Sequence, residues 1–354
     1  MYKNAELFDD NLLLYSAMLK DIEAAKHSVY LETYRINEDA IGIKFRDALA
    51  AKCKQGLDVK ILVDSWGTSA SESFFSSIIK NGGTVKYFKK FKFFLDLFTK
   101  NHRRNHRKLL LIDNTLTYIG SSNYSAYSLL WRESVLRIEG EINYYFKKSF
   151  KESLKIYRKY HFNKFAFKKN IRLGDFLIIQ DIPSIYHQRI RKKYTELIMR
   201  AKKEILIETP YFLPGFKLRK ALMEAGERGV DVKIIVPKNS DVKIVDILRN
   251  KYLGMFFKRK VEILFYTPNN LHAKCLLIDN EIFSIGSPNF DYRSFRYQYE
   301  IALVGSHEKT NKAIRDHISK TMLDCESFDY EKWKSRPLIE KLVEWLMLPL
   351  RYLL

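Results

Sequence analysis

Residues 106–123 read HRKLLLIDNTLTYIGSSN, and residues 272–289 read HAKCLLIDNEIFSIGSPN. Each stretch holds a histidine and a lysine two apart, an apolar run, Asp-Asn, a second apolar run, and Gly-Ser-x-x-Asn. On a strand, residues i and i+2 point to one face. His106 and Lys108 therefore project together, as do His272 and Lys274. Asp113-Asn114 and Asp279-Asn280 are turn residues, so each stretch predicts a β-hairpin.

The repetition extends upstream. KHSVYLETYRI (26–36) matches KKEILIETPYF (202–212), and QGLDVKILVD (55–64) matches RGVDVKIIVP (228–237). The offsets between copies are 176, 173 and 166 residues, a drift that indicates an old duplication rather than a solenoid. The apolar VKI runs read as buried strands, and Gly56 and Gly229 suit helix C-termini. Strand–helix–strand order in each copy predicts an α/β fold. Two similar domains result, each a mixed β-sheet flanked by helices, related by pseudo-twofold symmetry. The first spans 1–170 and the second 171–330, leaving an amphipathic tail at 331–354. Between the copies, about 141–175, Ile142, Phe146, Phe150, Leu154, Tyr157 and His161 recur at helical spacing and predict a helix closing the first domain. A short linker from Phe165 follows. The second domain opens near Asp175, with FLII (176–179) as its first strand.

Composition narrows the partners. The 354 residues carry 62 Lys plus Arg against 41 Asp plus Glu, a formal net charge of +21. Such an excess points to a polyanion, either nucleic acid or an anionic bilayer. Cys53, Cys275 and Cys325 are far apart and form no CxxC pair, which argues against a disulfide framework and a cysteine zinc site. The polar start MYKNAELFDDN is unlike a signal peptide. No uncharged apolar run reaches the roughly 18 residues of a membrane span.

Each half gathers an imidazole, an ammonium, a hydroxyl and an amide at one strand edge. Joined, the two sets suit a tetrahedral phosphate. Lys108 and Lys274 neutralise its oxygens, Ser121, Asn123, Ser287 and Asn289 donate hydrogen bonds, and one histidine attacks phosphorus. Asp113 and Asp279 belong to the motif, but they fall on the opposite strand parity from their histidines and read as structural. Glu32 and Glu208, at strand ends, either support the site or form structural salt bridges. The remaining histidines read as surface or packing residues.

The duplicated HxKx4D with its trailing GSxxN resembles the phospholipase D superfamily over about residues 5–325. LETYRINEDAIG, WRESVLRIEG, ETPYFLPG and GSPNFD make the chain most similar to bacterial cardiolipin synthases. The resemblance implies a two-step mechanism needing no metal, nucleotide or other cofactor. By similarity His106 becomes phosphohistidine while His272 serves as acid and then base, but the two sets are nearly symmetric and the sequence leaves the exchange of these roles open. It also implies that an acidic residue some 25–30 positions after each motif histidine orients the ring, which selects Glu133 and Glu300. The implied activity is phosphatidyl transfer between phosphatidylglycerol molecules, or from phosphatidylethanolamine, at the cytoplasmic face of the cell membrane. A metal-independent phosphodiesterase of the same superfamily, a nuclease or a phospholipase, is the alternative. Tyr211-Phe212-Leu213 and Phe290 are candidates for apolar walls that exclude water.

Two segments suggest a membrane surface as partner. In residues 86–108, basic and aromatic residues interleave. FKFFLDLF can dip into the lipid interface while Lys89, Lys90, Lys92, Arg103 and Arg104 meet anionic headgroups. The alternatives are a helix covering the sheet and a groove for nucleic acid. The tail, residues 337–354, is too short and too charged to span a bilayer. Leu338, Leu342, Trp345, Leu346 and Pro349 share one side at helical spacing, as in an interfacial anchor or a helix docked on the protein body.

Overall fold

The computed structural model of the chain describes residues 2–88, 103–157 and 170–353. FKFFLDLF with Lys89, Lys90 and Lys92, and the linker at Phe165, lie outside the described residues.

The first half runs β1 (Tyr2–Phe8), α1 (Asn11–Ala24), β2 (Ser28–Thr33), α2 (Ala40–Lys54), β3 (Asp58–Asp64), α3 (Ser76–Lys80), β4 (Thr84–Phe88), β5 (Arg104–Asn105), β6 (Leu109–Ile112), β7 (Leu116–Gly120), β8 (Val135–Gly140) and α4 (Ile142–Ile156). The second runs β9 (Ile171–Leu173), β10 (Phe176–Asp181), α5 (Arg189–Arg200), β11 (Glu204–Glu208), α6 (Phe216–Glu227), β12 (Asp231–Pro237), α7 (Lys243–Phe257), β13 (Val261–Tyr266), β14 (Cys275–Ile278), β15 (Ile282–Gly286), α8 (Tyr292–Tyr297), β16 (Gln298–Gly305) and α9 (Glu308–Leu323). The chain then continues through β17 (Cys325–Ser327), α10 (Tyr330–Lys334) and α11 (Leu338–Met347).

The first sheet has the order β1-β8-β7-β6-β2-β3-β4, and the second contains its counterpart β10-β16-β15-β14-β11-β12-β13, edged by β9 and β17. In both, the last three strands pair in parallel and the rest antiparallel. The parallel pairs need crossovers, which α2 and α6 supply. Both helices end before a glycine with positive φ, Gly56 at 82° and Gly229 at 86°, the left-handed conformation that a Cβ disfavours.

The sheets pack toward one another. A single buried cluster joins Leu109, Leu111, Ile119 and Leu136 of one sheet to Leu206, Leu277, Ile285 and Ile301 of the other. Phe146 and Phe150 of α4 and Ile314 and Ile318 of α9 complete it. Separate outer cores lie beneath α1 and α2 in the first half and beneath α5, α6 and α7 in the second. The second half opens one strand earlier than its sequence suggests. Ile171–Leu173 turns through Gly174 and pairs with β10. Three residues are too few for an alternating pattern to show. Among the described residues, no helix is long and apolar enough to cross a membrane.

Candidate active site

The segment ahead of each motif histidine is pinned to the other half. In the first half, Arg104 lies fully buried with its Nε 3.0 Å from Asp64 Oδ1. The Asn105 amide donates to Asp64 Oδ2 at 2.8 Å, and its side chain donates to Glu32 Oε1 at 2.8 Å. Arg104 is thus a structural cation and not one that meets headgroups. These anchors let β5 pair with β16, so that the His106 amide donates to the Tyr299 carbonyl at 3.0 Å. The His272 amide donates in the same way to the Arg132 carbonyl at 2.8 Å.

The residue after each of these carbonyls carries the carboxylate. His106 Nδ1 lies 3.0 Å from Glu300 Oε1, and His272 Nδ1 lies 2.8 Å from Glu133 Oε1. The pairs are crossed, each half supplying the acid that holds the other half's imidazole. Engaging Nδ1 fixes both ring orientation and tautomer and leaves Nε2 as the reactive nitrogen. Both rings line one cavity of about 280 Å³.

Electrostatics separates the two rings. Burial pushes the His106 pKa well below its ordinary value, and the charges of Lys108 and Lys274 add to the effect. Burial also raises Glu300 to about 7. Burial lowers His272 as well, while Glu133 pulls against it. Burial works to raise Glu133, yet His272 and Lys274 hold that carboxyl below its usual range. His106 is therefore the more firmly neutral imidazole of the two. Burial, with each other's charge or without it, brings Lys108 to about 7 and Lys274 to about 8.

The other motif residues take distinct places. Each lysine ammonium donates to the carbonyl of its own motif histidine, Lys108 to His106 at 2.9 Å and Lys274 to His272 at 2.7 Å. Both are buried and outside the cavity lining, so they are not placed as the phosphate partners expected from the sequence. Asn123 and Asn289 do line the cavity. Ser121 and Ser287 do not. Ser287 donates to Glu300, and Ser121 donates to the Ser134 carbonyl at 3.0 Å. The serines therefore fix the segments that carry the glutamates and are not placed to bind phosphate.

Asp113 and Asp279 stand apart from the cavity. Asp113 accepts from the amides of Lys26, His27 and Ser28, and Asp279 from those of Lys202, Lys203 and Glu204. Each sits at positive φ in its hairpin turn and ties it to the start of β2 or β11. They are not placed for a catalytic role. Glu208 forms a buried ion pair with His317 Nε2 at 2.7 Å. Tyr211 lines the cavity, but Phe212, Leu213 and Phe290 point into the outer core of the second half. The Leu213 amide bonds the Phe290 carbonyl at 2.9 Å, which turns those side chains inward.

Arg35, Arg293, Trp66, Trp131 and Tyr34 complete the wall without having been singled out as site residues from sequence. Arg35 lies in the ET–aromatic stretch already noted, and that was its signal. Arg293 lies in the first turn of α8 and the tryptophans sit in loops, and none of the three belongs to a repeated pattern. The Trp131 ring centroid is 5.3 Å from that of His272, and Tyr34 is 5.3 Å from His106.

Two sheets that bring equivalent HxK edges to one cavity define a phospholipase D-like protein. The family model described as "Cardiolipin synthase, PLD-like domain" matches residues 18–154 and 194–322. A cardiolipin synthase of Listeria welshimeri is 32% identical over 96% of this chain and 73% of that protein. One of Clostridium perfringens is 30% identical over 96% of this chain and 74% of its own length. The chain belongs to the cardiolipin synthase family, and it is a phosphatidyltransferase of the phospholipase D type. Among solved structures, the fold matches a phosphatidylserine synthase of Haemophilus influenzae at TM-score 0.78, with 13% identity, covering 100% of this chain and 97% of that one. A polyphosphate kinase of Porphyromonas gingivalis matches at 0.63, with 13% identity, covering 98% of this chain and 53% of that one.

Proposed function

We propose that the chain makes cardiolipin by transferring a phosphatidyl group from one phosphatidylglycerol to another. His106 Nε2 attacks phosphorus, forming a P–N bond as the P–O bond to glycerol breaks. His272 gives its proton to the departing glycerol oxygen. His272 then takes the proton of a hydroxyl on the second phosphatidylglycerol. That oxygen attacks phosphorus, the P–N bond breaks, and His106 is restored. A phosphodiester is exchanged for a phosphodiester, so no activated donor is required. General acid–base help of this kind contributes typically about 10²–10⁴-fold.

The observation that carries the reading is the pair of imidazoles lining one cavity, each held at Nδ1 by the opposite half's carboxylate. The depressed His106 pKa favours the neutral nucleophile, and the pull of Glu133 favours His272 as the proton carrier. Arg35 and Arg293 supply charge for an anionic diester, and Asn123 and Asn289 supply amides. Transfer must outrun hydrolysis, so the second alcohol has to be held in line and water kept out. Trp66, Trp131, Val242 and Val245 give the cavity apolar walls suited to that task. The lipid substrates of this reading go with a membrane surface, proposed to be the cytoplasmic face.

Purified protein is expected to convert phosphatidylglycerol vesicles into cardiolipin plus glycerol in the presence of a chelator, with products read by mass spectrometry. Phosphatidic acid as the dominant product marks a hydrolase instead. Ethanolamine release from mixed vesicles marks phosphatidylethanolamine as donor. DNA cleavage without lipid turnover supports the nuclease alternative.

A further inference from the structure

The C-terminal helix α11 is docked inside out. Its buried residue is an acid. Glu344 is 3% exposed and accepts from Arg336 at 2.9 and 3.0 Å. Five of its apolar residues face outward, with Leu338 81%, Ile339 64%, Trp345 63% and Leu346 61% exposed and Leu342 beside them, while Val343 and Met347 are half-buried. A helix that packs on a protein body to bury its apolar stripe has the opposite arrangement. Contiguous apolar surface of this kind marks an interaction site.

The docking itself is firm. Arg336 stacks on Trp333 at 4.3 Å, and the Trp333 indole donates to the Asn250 carbonyl of α7 at 2.9 Å. The Trp333 ring fills the space that a Cβ at Gly254 would occupy, 2.3 Å away. At the end of the helix, Met347 and the following Leu348 pack on the outer core of the second half. The Arg351 guanidinium donates to the Tyr252 hydroxyl at 2.9 Å. The apolar face is therefore held outward by a fixed frame.

We infer that this outward face is the surface by which the protein docks on an anionic lipid bilayer. The inference deepens the phosphatidyl-transfer reading and takes the lipid composition from it. Three observations commit it to lipid. First, the apolar residues sit among lysines. Lys251, Lys332 and Lys334 are exposed, and Lys341 is half-buried on α11 itself. Glu340 is the acid exposed on the same helix, 4.0 Å from Arg336. Apolar side chains among cations suit the boundary between acyl chains and anionic headgroups. A second copy would instead bring like charges together, in a chain of net charge +21.

Second, the helices that hold the tail also carry residues of the cavity wall. α7 carries both the docked tail and Val245 of the cavity lining. Tyr352 rests against Tyr292 at 5.2 Å, at the start of the helix that carries Arg293. Third, a cavity of about 280 Å³ holds a headgroup and its phosphodiester but not two acyl chains besides. The chains have to remain in the bilayer at the mouth, and a docking face anchored on α7 and α8 keeps the protein at that bilayer.

The test uses the full chain and vesicles of phosphatidylcholine with or without phosphatidylglycerol. Co-sedimentation should favour the anionic vesicles, and Trp345 fluorescence should shift to the blue on binding. Leu342→Glu with Leu346→Glu should weaken vesicle binding at least about tenfold. These side chains face solvent, so thermal melting by circular dichroism should be unchanged. The same variant should keep wild-type turnover on a short-chain phosphatidylglycerol below its micellar concentration. His106→Ala should bind vesicles like the wild type, which separates docking from chemistry. If the tail variant binds vesicles as the wild type does, the inference is overturned whatever the activity. It is equally overturned if light scattering shows a lipid-free dimer that the variant dissociates. Tail-dependent binding without phosphatidyl transfer leaves the docking face standing and removes the functional reading.

Discussion

At the scale of single residues, the site rests on two histidine–carboxylate pairs that differ in charge. Glu133→Gln and Glu300→Gln each leave a hydrogen-bonding group but remove the charge that steadies an imidazolium. Each should lower kcat by about 10²- to 10⁴-fold with little change in KM, read on short-chain phosphatidylglycerol. The pH profile follows from burial. His106, held well below its usual pKa, stays neutral through the mildly acidic range, so the acid limb of kcat/KM should fall well under pH 6.5. His272 has to carry a proton to serve as the acid, and burial holds its pKa below the ordinary value, so kcat/KM should decline as the pH rises beyond it. A flat profile from about pH 6 to 9 contradicts these assignments. The imidazoles were legible from the duplicated motif, but they are not on a strand: the motif histidines and lysines precede β6 and β14, and each lysine turns to its own histidine's carbonyl instead of lining the cavity beside the ring. The crossing of Glu133 to His272 and of Glu300 to His106 was not legible, because spacing along a chain does not say which half's ring a carboxylate meets. Ser121 and Ser287 were misread as phosphate donors for a related reason. A motif fixes where a hydroxyl sits in sequence, and the neighbouring carbonyl or carboxylate decides what it bonds.

At the scale of elements, the motif aspartates show how a conserved-looking spacing can serve the backbone. Asp113 satisfies three amide groups at the start of β2. Asp113→Ala should cost about 1–3 kcal/mol of stability in denaturant titration while turnover per folded molecule persists. Loss of turnover without loss of stability contradicts the structural role. Asp64→Asn strikes harder, because it leaves the Arg104 guanidinium buried without its counter-charge. Roughly 3–5 kcal/mol should be lost, with the β5 segment and its histidine displaced. Most elements were readable from the two copies, through the VKI strands, the glycines after α2 and α6, and the apolar face of α4. β9 was missed because a three-residue edge strand carries no period. The tail's helical stripe was visible in sequence, yet periodicity does not reveal which way a stripe faces. Arg336 decides that by holding Glu344 inward.

At the scale of the whole molecule, duplication made the chain's twofold plan legible, and the seam between the copies makes the site. The sheets share one core, and each half finishes the other's imidazole. A change at Glu300 therefore acts through His106, 194 positions away in sequence. What sequence alone left open was how the edges meet, since nothing local encodes the contact of β5 with β16 or of Arg132 with Leu271. The central claim is that both rings serve one phosphorus atom, with His106 as the atom's temporary holder. Rapid mixing with labelled phosphatidylglycerol, an alkaline quench that preserves phosphohistidine, and peptide mass spectrometry test it directly. The account predicts a phosphatidyl group on the peptide bearing His106, absent from His106→Ala and from no-substrate controls. Label confined to the His272 peptide, or turnover with no label on either histidine, contradicts it.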